Sequence, residues 1–146
     1  MINQGVREFI LTGVNLGTYE SKGNDFLALI EVLSEMPGVD RLRISSIEPT
    51  TIPNELFGMM ADPDHSLMPY LHIPMQACCD RTLAGMKRKY GMEEMVAFFD
   101  RAAKAIPTLC LGTDLLVGFP GETESEFEET CDRFLNLPFA YCHVFT

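Results

Sequence analysis

Residues 112–123 decide the fold of this chain and read Gly-Thr-Asp-Leu-Leu-Val-Gly-Phe-Pro-Gly-Glu-Thr. The apolar run Leu115–Val117 has the length of a β-strand, and the glycines and proline at 118–121 predict a turn directly after it. Thr123 and Glu126 then form a capping box, in which the threonine hydroxyl accepts from the amide of Glu126 and the glutamate carboxylate reaches back. A strand that runs through a short turn into a helix is the repeating unit of an α/β protein.

The same alternation extends outward along the chain. Short runs of strand length, mostly rich in β-branched or aromatic residues, occur at residues 7–11, 41–45, 70–74, 115–117 and 141–145. Between them, apolar residues recur every three or four positions, which is typical of helices that bury one stripe. Strands alternating with helices predict right-handed crossovers and a parallel sheet, either doubly wound or part of a (β/α) barrel.

The predicted helix boundaries rest on capping and proline positions. The sequence predicts a first helix capped by Asn24 or Asp25 and ended by Pro37-Gly38, a short second helix with Pro53 in its first turn, a third capped by Asp80 and a fourth closed by Pro107. The acidic residues 122–129 lie at the positive end of the fifth helix, so a solvated, dipole-stabilised helix start is expected there.

Composition limits the class of protein. With 146 residues, 47% hydrophobic and 22% charged, the chain suits one packed domain spanning 1–146 and excludes disorder. The net charge of -10 excludes a basic excess that would by itself hold nucleic acid or membranes. No signal peptide and no apolar stretch of about eighteen residues is found, so a cytoplasmic, non-membrane protein is expected. A strand near each terminus suggests a segment of something larger.

Small and polar residues follow four of the predicted strands, at 12–17, 45–49, 76–80 and 118–122. Because ligands of parallel α/β proteins collect beyond the carboxyl ends of the strands, these segments predict a small-molecule site at one rim. The turn at 118–121 offers helix N-terminal amides to an anion or an adenine edge.

Four separated segments, in this order, resemble the radical SAM methylthiotransferases. They are Leu-Thr-Gly-Val-Asn-Leu-Gly at 11–17, Arg-Ile-Ser-Ser-Ile-Glu-Pro at 43–49, Leu-His-Ile-Pro-Met-Gln at 71–76 and the run 112–123, supported by 86–90 and 143–145. The resemblance covers nearly the whole chain and is strongest to the MiaB-like branch that methylthiolates threonylcarbamoyladenosine in tRNA.

This resemblance implies an α/β partial (β/α) TIM-like barrel of the radical SAM type, with parallel strands alternating with helices, truncated at both ends and comprising strands two to six. It implies S-adenosylmethionine and 4Fe-4S clusters as cofactors of the full-length enzyme, a radical that removes hydrogen from a C–H bond, insertion of sulfur there and its methylation. The implied partner is tRNA, held through domains absent from this chain.

The resemblance also carries cofactor-binding roles onto individual positions. Thr12, Gly13 and Asn15 match the segment that meets the amino group of the cofactor, and Ser45, Ser46 and Glu48 match the next strand's rim. Gln76 and Asp80 match residues near the ribose and methionine ends, Arg88 is a candidate partner for the methionine carboxylate, and the backbone of Leu116, Val117 and Gly118 is expected to face adenine.

Two departures from the family bear on activity. Residues 77–79 are Ala-Cys-Cys where the family has Ser-Gly-Ser, which removes two hydroxyls near the ribose. The family's CxxxCxxC is absent and would belong upstream, so this chain is expected to be inactive alone and to hold no cluster or other metal. Cys110, Cys131 and Cys142 are interpreted as small apolar core residues with reduced thiols.

Alternatives remain for several residues. Arg81, Lys87, Arg88 and Lys89 also fit a solvated basic patch that could touch tRNA phosphates. His72 fits a hydrogen-bonded core histidine facing either side of its strand, and metal ligation is expected for neither His65 nor His72. The alternative functions are a non-catalytic binding module or scaffold, and the ribosomal-protein methylthiotransferase branch.

Overall fold

A computed structural model describes residues 1–146. The strands are β1 (Glu8–Leu11), β2 (Glu20–Ser21), β3 (Asn24–Asp25), β4 (Arg41–Ile44), β5 (Tyr70–His72), β6 (Cys110–Leu116) and β7 (Tyr141–Phe145). The helices are α1 (Phe26–Ser34), α2 (Glu55–Ala61), α3 (Asp80–Gly85), α4 (Met92–Ala105) and α5 (Glu124–Phe134). None of these helices combines the length and the apolar character needed to cross a membrane.

All five longer strands run parallel in the order β1, β4, β5, β6, β7. The join between β4 and β5 lies just before β5, where Leu42 pairs with the segment 66–68: its amide donates to Ser66 at 2.8 Å, and the amide of Met68 donates to its carbonyl at 2.9 Å. β2 and β3 form a separate two-residue antiparallel ribbon ahead of α1. The prediction of a partial α/β barrel with parallel strands is confirmed.

One face of the sheet carries the hydrophobic core and all the helices. Strand residues at alternate positions, among them Leu42, Leu71 and Leu111, pack against helix residues such as Phe26 and Phe99, and all five are at most 2% exposed. The opposite face carries no helix. We call it the open face, and its side chains include those of Glu8, Ile10, Arg41, Arg43, Tyr70, His72, Asp114, Tyr141 and His143.

Most predicted boundaries agree with the structure. Asp25, rather than Asn24, caps α1, because its carboxylate accepts from the amide of Ala28 at 2.9 Å. α4 ends two residues before Pro107, as predicted. The predicted strand at 115–117 is longer than expected, since β6 begins at Cys110. Pro53 precedes α2 rather than standing in its first turn.

Asp80 does not cap α3, which corrects the sequence prediction. The cap position is Cys79, and Asp80 is the first helical residue. Its carboxylate instead accepts a 2.7 Å hydrogen bond from the amide of Met92, at the start of α4. Asp80 therefore ties the beginnings of two consecutive helices together.

The prediction of a solvated acidic start for α5 is wrong at Glu126, which is 7% exposed. Its carboxylate accepts from the amide of Thr123 at 2.7 Å and from the hydroxyl at 2.9 Å, and Arg81 lies 3.1 Å from its other oxygen. These hydrogen bonds from Thr123 lower the pKa of Glu126. Cys110 is likewise exposed rather than part of the core, while Cys131 and Cys142 are half-buried.

Candidate functional site

A polar cavity of about 240 Å³ opens at the carboxyl edge of the sheet. Among the residues that line it, five were singled out by sequence: Asn15, Ser46, Glu48, Gln76 and Arg88. They come from the segments after β1, β4 and β5 and from the turn after α3. Because the strands are parallel, these segments meet at one rim, as the sequence pattern predicts.

Gln76 reaches this rim through an unusual backbone conformation. Its φ is 74°, in the left-handed region that non-glycine residues rarely occupy. Two hydrogen bonds to β6 hold it there: its amide donates to the carbonyl of Asp114 at 2.8 Å, and its carbonyl accepts from the amide of Leu116 at 2.8 Å. Strained backbone that surrounding bonds enforce is common at binding sites.

Arg88 and Glu48 form an ion pair in the cavity wall. Their side chains lie 3.3 Å apart and are 28% and 36% exposed. Tyr90 supports this wall, since its hydroxyl donates to the carbonyl of Pro74 at 2.9 Å, and burial raises its pKa. Asn15, Glu48 and Arg88 also line an adjoining cavity of about 330 Å³, so the ion pair borders two polar spaces.

The other predicted residues do not line the 240 Å³ cavity. Asp80 lies instead on a larger cavity of about 800 Å³ between α4 and α5. The rest stand at or near the carboxyl edge of the sheet and are Thr12, Gly13, Ser45, Leu116, Val117 and Gly118. Of the basic residues 81–89, only Arg88 contacts Glu48, and Arg81 pairs with Glu126.

The backbone amides at the end of β6 already have partners within the chain. Those of Leu116, Val117 and Gly118 donate to the Gln76 carbonyl, the Phe145 carbonyl and the Glu122 carboxylate, respectively, at 2.7–2.8 Å. These three amides are therefore not free for a ligand at this turn.

A second polar group was missed by sequence reasoning and lies on the open face. His72, Asp114 and His143 come from β5, β6 and β7 and place one ligating atom each within 4.8 Å of the others. The hydroxyl of Tyr141 lies 2.9 Å from Nδ1 of His72 and also contacts the hydroxyl of Tyr70. Polar residues at alternate positions of these strands were the available signal, but their meeting depends on strand register.

Charge on the open face continues onto β1 and β4. Glu8 lies 2.8 Å from Nε of Arg41 and 2.9 Å from Nε of Arg43. The hydrogen bond from Arg41 lowers the pKa of Glu8. The guanidinium of Arg43 also stands over the ring of Tyr70, 5.7 Å from its centroid. These contacts join the two halves of the sheet across the open face.

The polar cavity has the donors and acceptors that S-adenosylmethionine requires. A guanidinium suits the methionine carboxylate, a carboxylate suits its ammonium group, and the amides of Asn15 and Gln76 suit ribose hydroxyls. The cysteines do not suit an iron–sulfur cluster, since no group of three brings its sulfur atoms within ligating distance of one another. Cys78, buried behind β5, has its pKa raised to about 12 by that burial.

In a parallel α/β partial barrel, a polar cavity at the strand ends lies where the ligands of such folds bind. Residues 1–134 match the model of the radical SAM superfamily. The chain therefore belongs to the radical SAM superfamily, as its motifs predicted.

Several proteins of similar sequence are named as enzymes that modify tRNA. The chain is 38% identical to the threonylcarbamoyladenosine tRNA methylthiotransferase MtaB of Bacillus subtilis over 99% of its length. It is 39% and 33% identical to tRNA-2-methylthio-N(6)-dimethylallyladenosine synthases of Cereibacter sphaeroides and Endomicrobium trichonymphae, again over 99%. In each comparison the chain spans about a third of the length of the relative, 33 or 34%.

Two solved structures share the fold. The radical S-adenosylmethionine methyltransferase TsrM from Kitasatospora setae matches 99% of this chain and 28% of its own, with a TM-score of 0.74 at 16% identity. The coproporphyrinogen III oxidase HemN from Escherichia coli matches 80% of this chain and 26% of its own, with a TM-score of 0.62 at 21% identity. At sequence identities this low, the two matches show a shared fold and nothing more.

Proposed function

We propose that this chain supplies the S-adenosylmethionine-binding part of a radical SAM tRNA methylthiotransferase. The observation that carries the proposal is the ion pair between Arg88 and Glu48 inside the polar cavity. A paired cation and anion at one point match the zwitterionic amino-acid end of the cofactor, which carries both charges.

The contacts of the pair explain how it would change on binding. At 3.3 Å and about one-third exposed, the bond between Arg88 and Glu48 is a weak one that a ligand can replace. Arg88 would turn to the methionine carboxylate and Glu48 to the ammonium group, so neither charge would lose its partner. Asn15 and Gln76, on the same cavity wall, would orient the nucleoside part.

The cofactor, when bound beside a reduced iron–sulfur cluster, supplies the radical that removes hydrogen from an unreactive C–H bond. This chain's own residues bind and orient the cofactor at the rim and exclude water from it. The residues that would hold the cluster are proposed to lie outside these 146 residues, because no three cysteines of this chain converge.

The proposed substrate is threonylcarbamoyladenosine in tRNA. The relative named for that nucleoside is 38% identical to this chain. A second candidate is dimethylallyladenosine, because relatives named for that nucleoside have similar sequence identity to this chain, up to 39%. Both nucleosides are adenosines with a bulky N6 substituent, so the same cofactor site serves either assignment.

The cofactor assignment is tested by equilibrium dialysis of S-adenosylmethionine against the purified chain. We expect Arg88→Ala to weaken binding at least tenfold, because the methionine carboxylate loses a bidentate partner. Lys104→Ala removes an equal charge from the last turn of α4, which lines neither this cavity nor the adjoining one, and should bind as the parent does. Equal affinity of the two variants would contradict the proposed role of the ion pair.

The substrate assignment is tested in cells by mass spectrometry of tRNA nucleosides. Disrupting the gene that encodes this chain should remove the 2-methylthio group from threonylcarbamoyladenosine while leaving the parent nucleoside. Loss of the 2-methylthio group from dimethylallyladenosine instead would select the second candidate. Unchanged tRNA with loss of a ribosomal-protein modification would contradict the tRNA assignment.

A further inference from the structure

We propose that His72, Asp114 and His143 form a binding site for a divalent transition-metal ion of the zinc type on the open face. The site uses no cysteine, so its ligands differ from those of an iron–sulfur cluster. Two imidazoles and one carboxylate are a recurrent ligand set for zinc and its neighbours. No metal was expected at His72 from the sequence. The partner residues lie 42 and 71 positions away along the chain, and only the strand register brings them together.

The spacing of the ligand atoms fits one metal ion. Oδ1 of Asp114 lies 3.0 Å from Nε2 of His72 and 3.2 Å from Nδ1 of His143. Ligands bound tetrahedrally at zinc distances of about 2.0–2.1 Å stand roughly 3.3 Å from one another. The three side chains therefore need only small adjustments to surround an ion.

The strands hold the three ligands without mobile loops. In the parallel pairing of β6 with β7, Asp114 stands directly opposite His143. His72 stands opposite Gly112, two residues before Asp114 and on the same face. Ligands on paired strands have fixed separations, so little conformational entropy remains to be lost when an ion binds.

A second layer of hydrogen bonds is compatible with the ligating form of His72. Nδ1 of this ring lies 2.9 Å from the hydroxyl of Tyr141. Once Nε2 binds a metal, the ring proton resides on Nδ1 and is donated to that hydroxyl, which in turn has Tyr70 as its own hydrogen-bond partner. The tyrosine pair thus accepts either tautomer of His72.

The three ligands differ in exposure. Three protein ligands leave the fourth position of a tetrahedral ion open, and that position would lie on the exposed side, near His143. The side chain of His72 is 8% exposed and that of Asp114 20%, whereas His143 is 60% exposed. The ion would be anchored at the base of the site by the buried His72 and the half-buried Asp114, and approached from the open face. Asp114 also lines the polar cavity at the rim, so the metal would stand beside the proposed cofactor site.

The test is titration of the purified chain with Zn²⁺ by calorimetry and with Co²⁺ by visible absorption. We expect one ion per chain and a Co²⁺ spectrum of nitrogen and oxygen ligands with no thiolate charge-transfer band. His143→Ala and Asp114→Asn should each weaken Zn²⁺ binding at least 100-fold. Tyr141→Phe, which leaves all three ligands, should weaken it about tenfold, in the range found for outer-shell partners.

His65→Gln is the matched control, because His65 lies in a loop where its Nδ1 accepts from the amide of Leu67. This variant should bind Zn²⁺ as the parent does. Far-ultraviolet circular dichroism identifies variants that remain folded, and the exposed position of His143 makes its alanine variant the safest of them. Absence of stoichiometric binding by the parent, thiolate ligation, or unchanged affinity in folded His143→Ala or Asp114→Asn would overturn the proposal.

Discussion

The hydroxyl of Thr113 on β6 donates a 2.7 Å hydrogen bond to the carbonyl of Ile73, which follows β5. The same hydroxyl accepts a 3.1 Å bond from the amide of Met75. Thr113 is fully buried, so no water can replace either bond. One side chain thereby continues the connection between two strands up to Gln76 at the cavity.

Thr113→Val should destabilise the protein by about 2 kcal/mol, because it keeps the shape of the side chain but leaves a buried amide and a buried carbonyl without partners. Urea unfolding monitored by circular dichroism measures the loss. Thr113→Ser retains the hydroxyl and loses one methyl group, so its loss should be smaller. A serine variant that is less stable than the valine variant would contradict this account.

Gly112 leaves room for the ring of Tyr141 on the neighbouring strand. A Cβ atom at this position would overlap the ring carbons and hydroxyl of Tyr141, so Gly112→Ala should displace that ring and destabilise the protein by about 1–3 kcal/mol. At Gly58, in α2, nothing lies near the position of an added Cβ atom. Gly58→Ala should therefore increase the stability of the protein by up to about 1 kcal/mol. If both substitutions changed the unfolding free energy in the same direction relative to the parent, the steric argument would be refuted.

Glu126 should make stability depend on pH. Its pKa is lowered in the folded protein, chiefly by the hydrogen bond from the amide of Thr123, so its stabilising contribution is complete above the ordinary glutamate pKa. That contribution is lost as the pH falls through the lowered, folded-state pKa. Melting temperatures of the parent and of Glu126→Gln should therefore differ most at neutral pH and converge in acid.

Glu128→Gln is the control for this pH dependence, because Glu128 is exposed on the same helix. Its melting curve should follow that of the parent from neutral pH to about pH 3. If the difference in melting temperature between the parent and Glu126→Gln stayed constant over that range, the charge of the carboxylate would play no part in stability.

Thiol reactivity should separate the cysteines by burial. Cys78 is fully buried and burial raises its pKa to about 12, so it should resist an aromatic disulfide reagent at pH 8 in the native state. Cys110 is exposed and should react first, and Cys110→Ser should remove the fast phase. Stopped-flow absorbance resolves the phases. A fast phase that persists in Cys110→Ser would place a different thiol at the surface.

The sequence predicted the parts of the fold that depend on local apolar patterns. β7 was located at its observed bounds, Tyr141–Phe145, and β4 and β1 within one residue. The first five residues of β6 were missed because Gly112 and Asp114 resemble turn residues. The glycine accommodates a neighbouring ring, and the aspartate faces the open side.

The candidate site was predictable only where motifs and strand ends coincide. Asn15, Ser46, Glu48 and Gln76 follow strands, so parallel topology alone brings them to one rim. Asp80 matched the motif equally well, yet its carboxylate is engaged by the amide of Met92, a tertiary contact that no local pattern encodes. The histidine and aspartate cluster likewise depends on which residues of three strands stand opposite one another.

The two faces of the sheet assign different roles to neighbouring residues. Leu71, Leu111 and Leu115 point to the core, while the residues beside them, such as His72 and Asp114, point to the open side. In a strand this separation repeats every second position. During divergence, reactive side chains can therefore be exchanged one position away from residues that must stay constant, and a single barrel can acquire new chemistries without first losing its ability to fold.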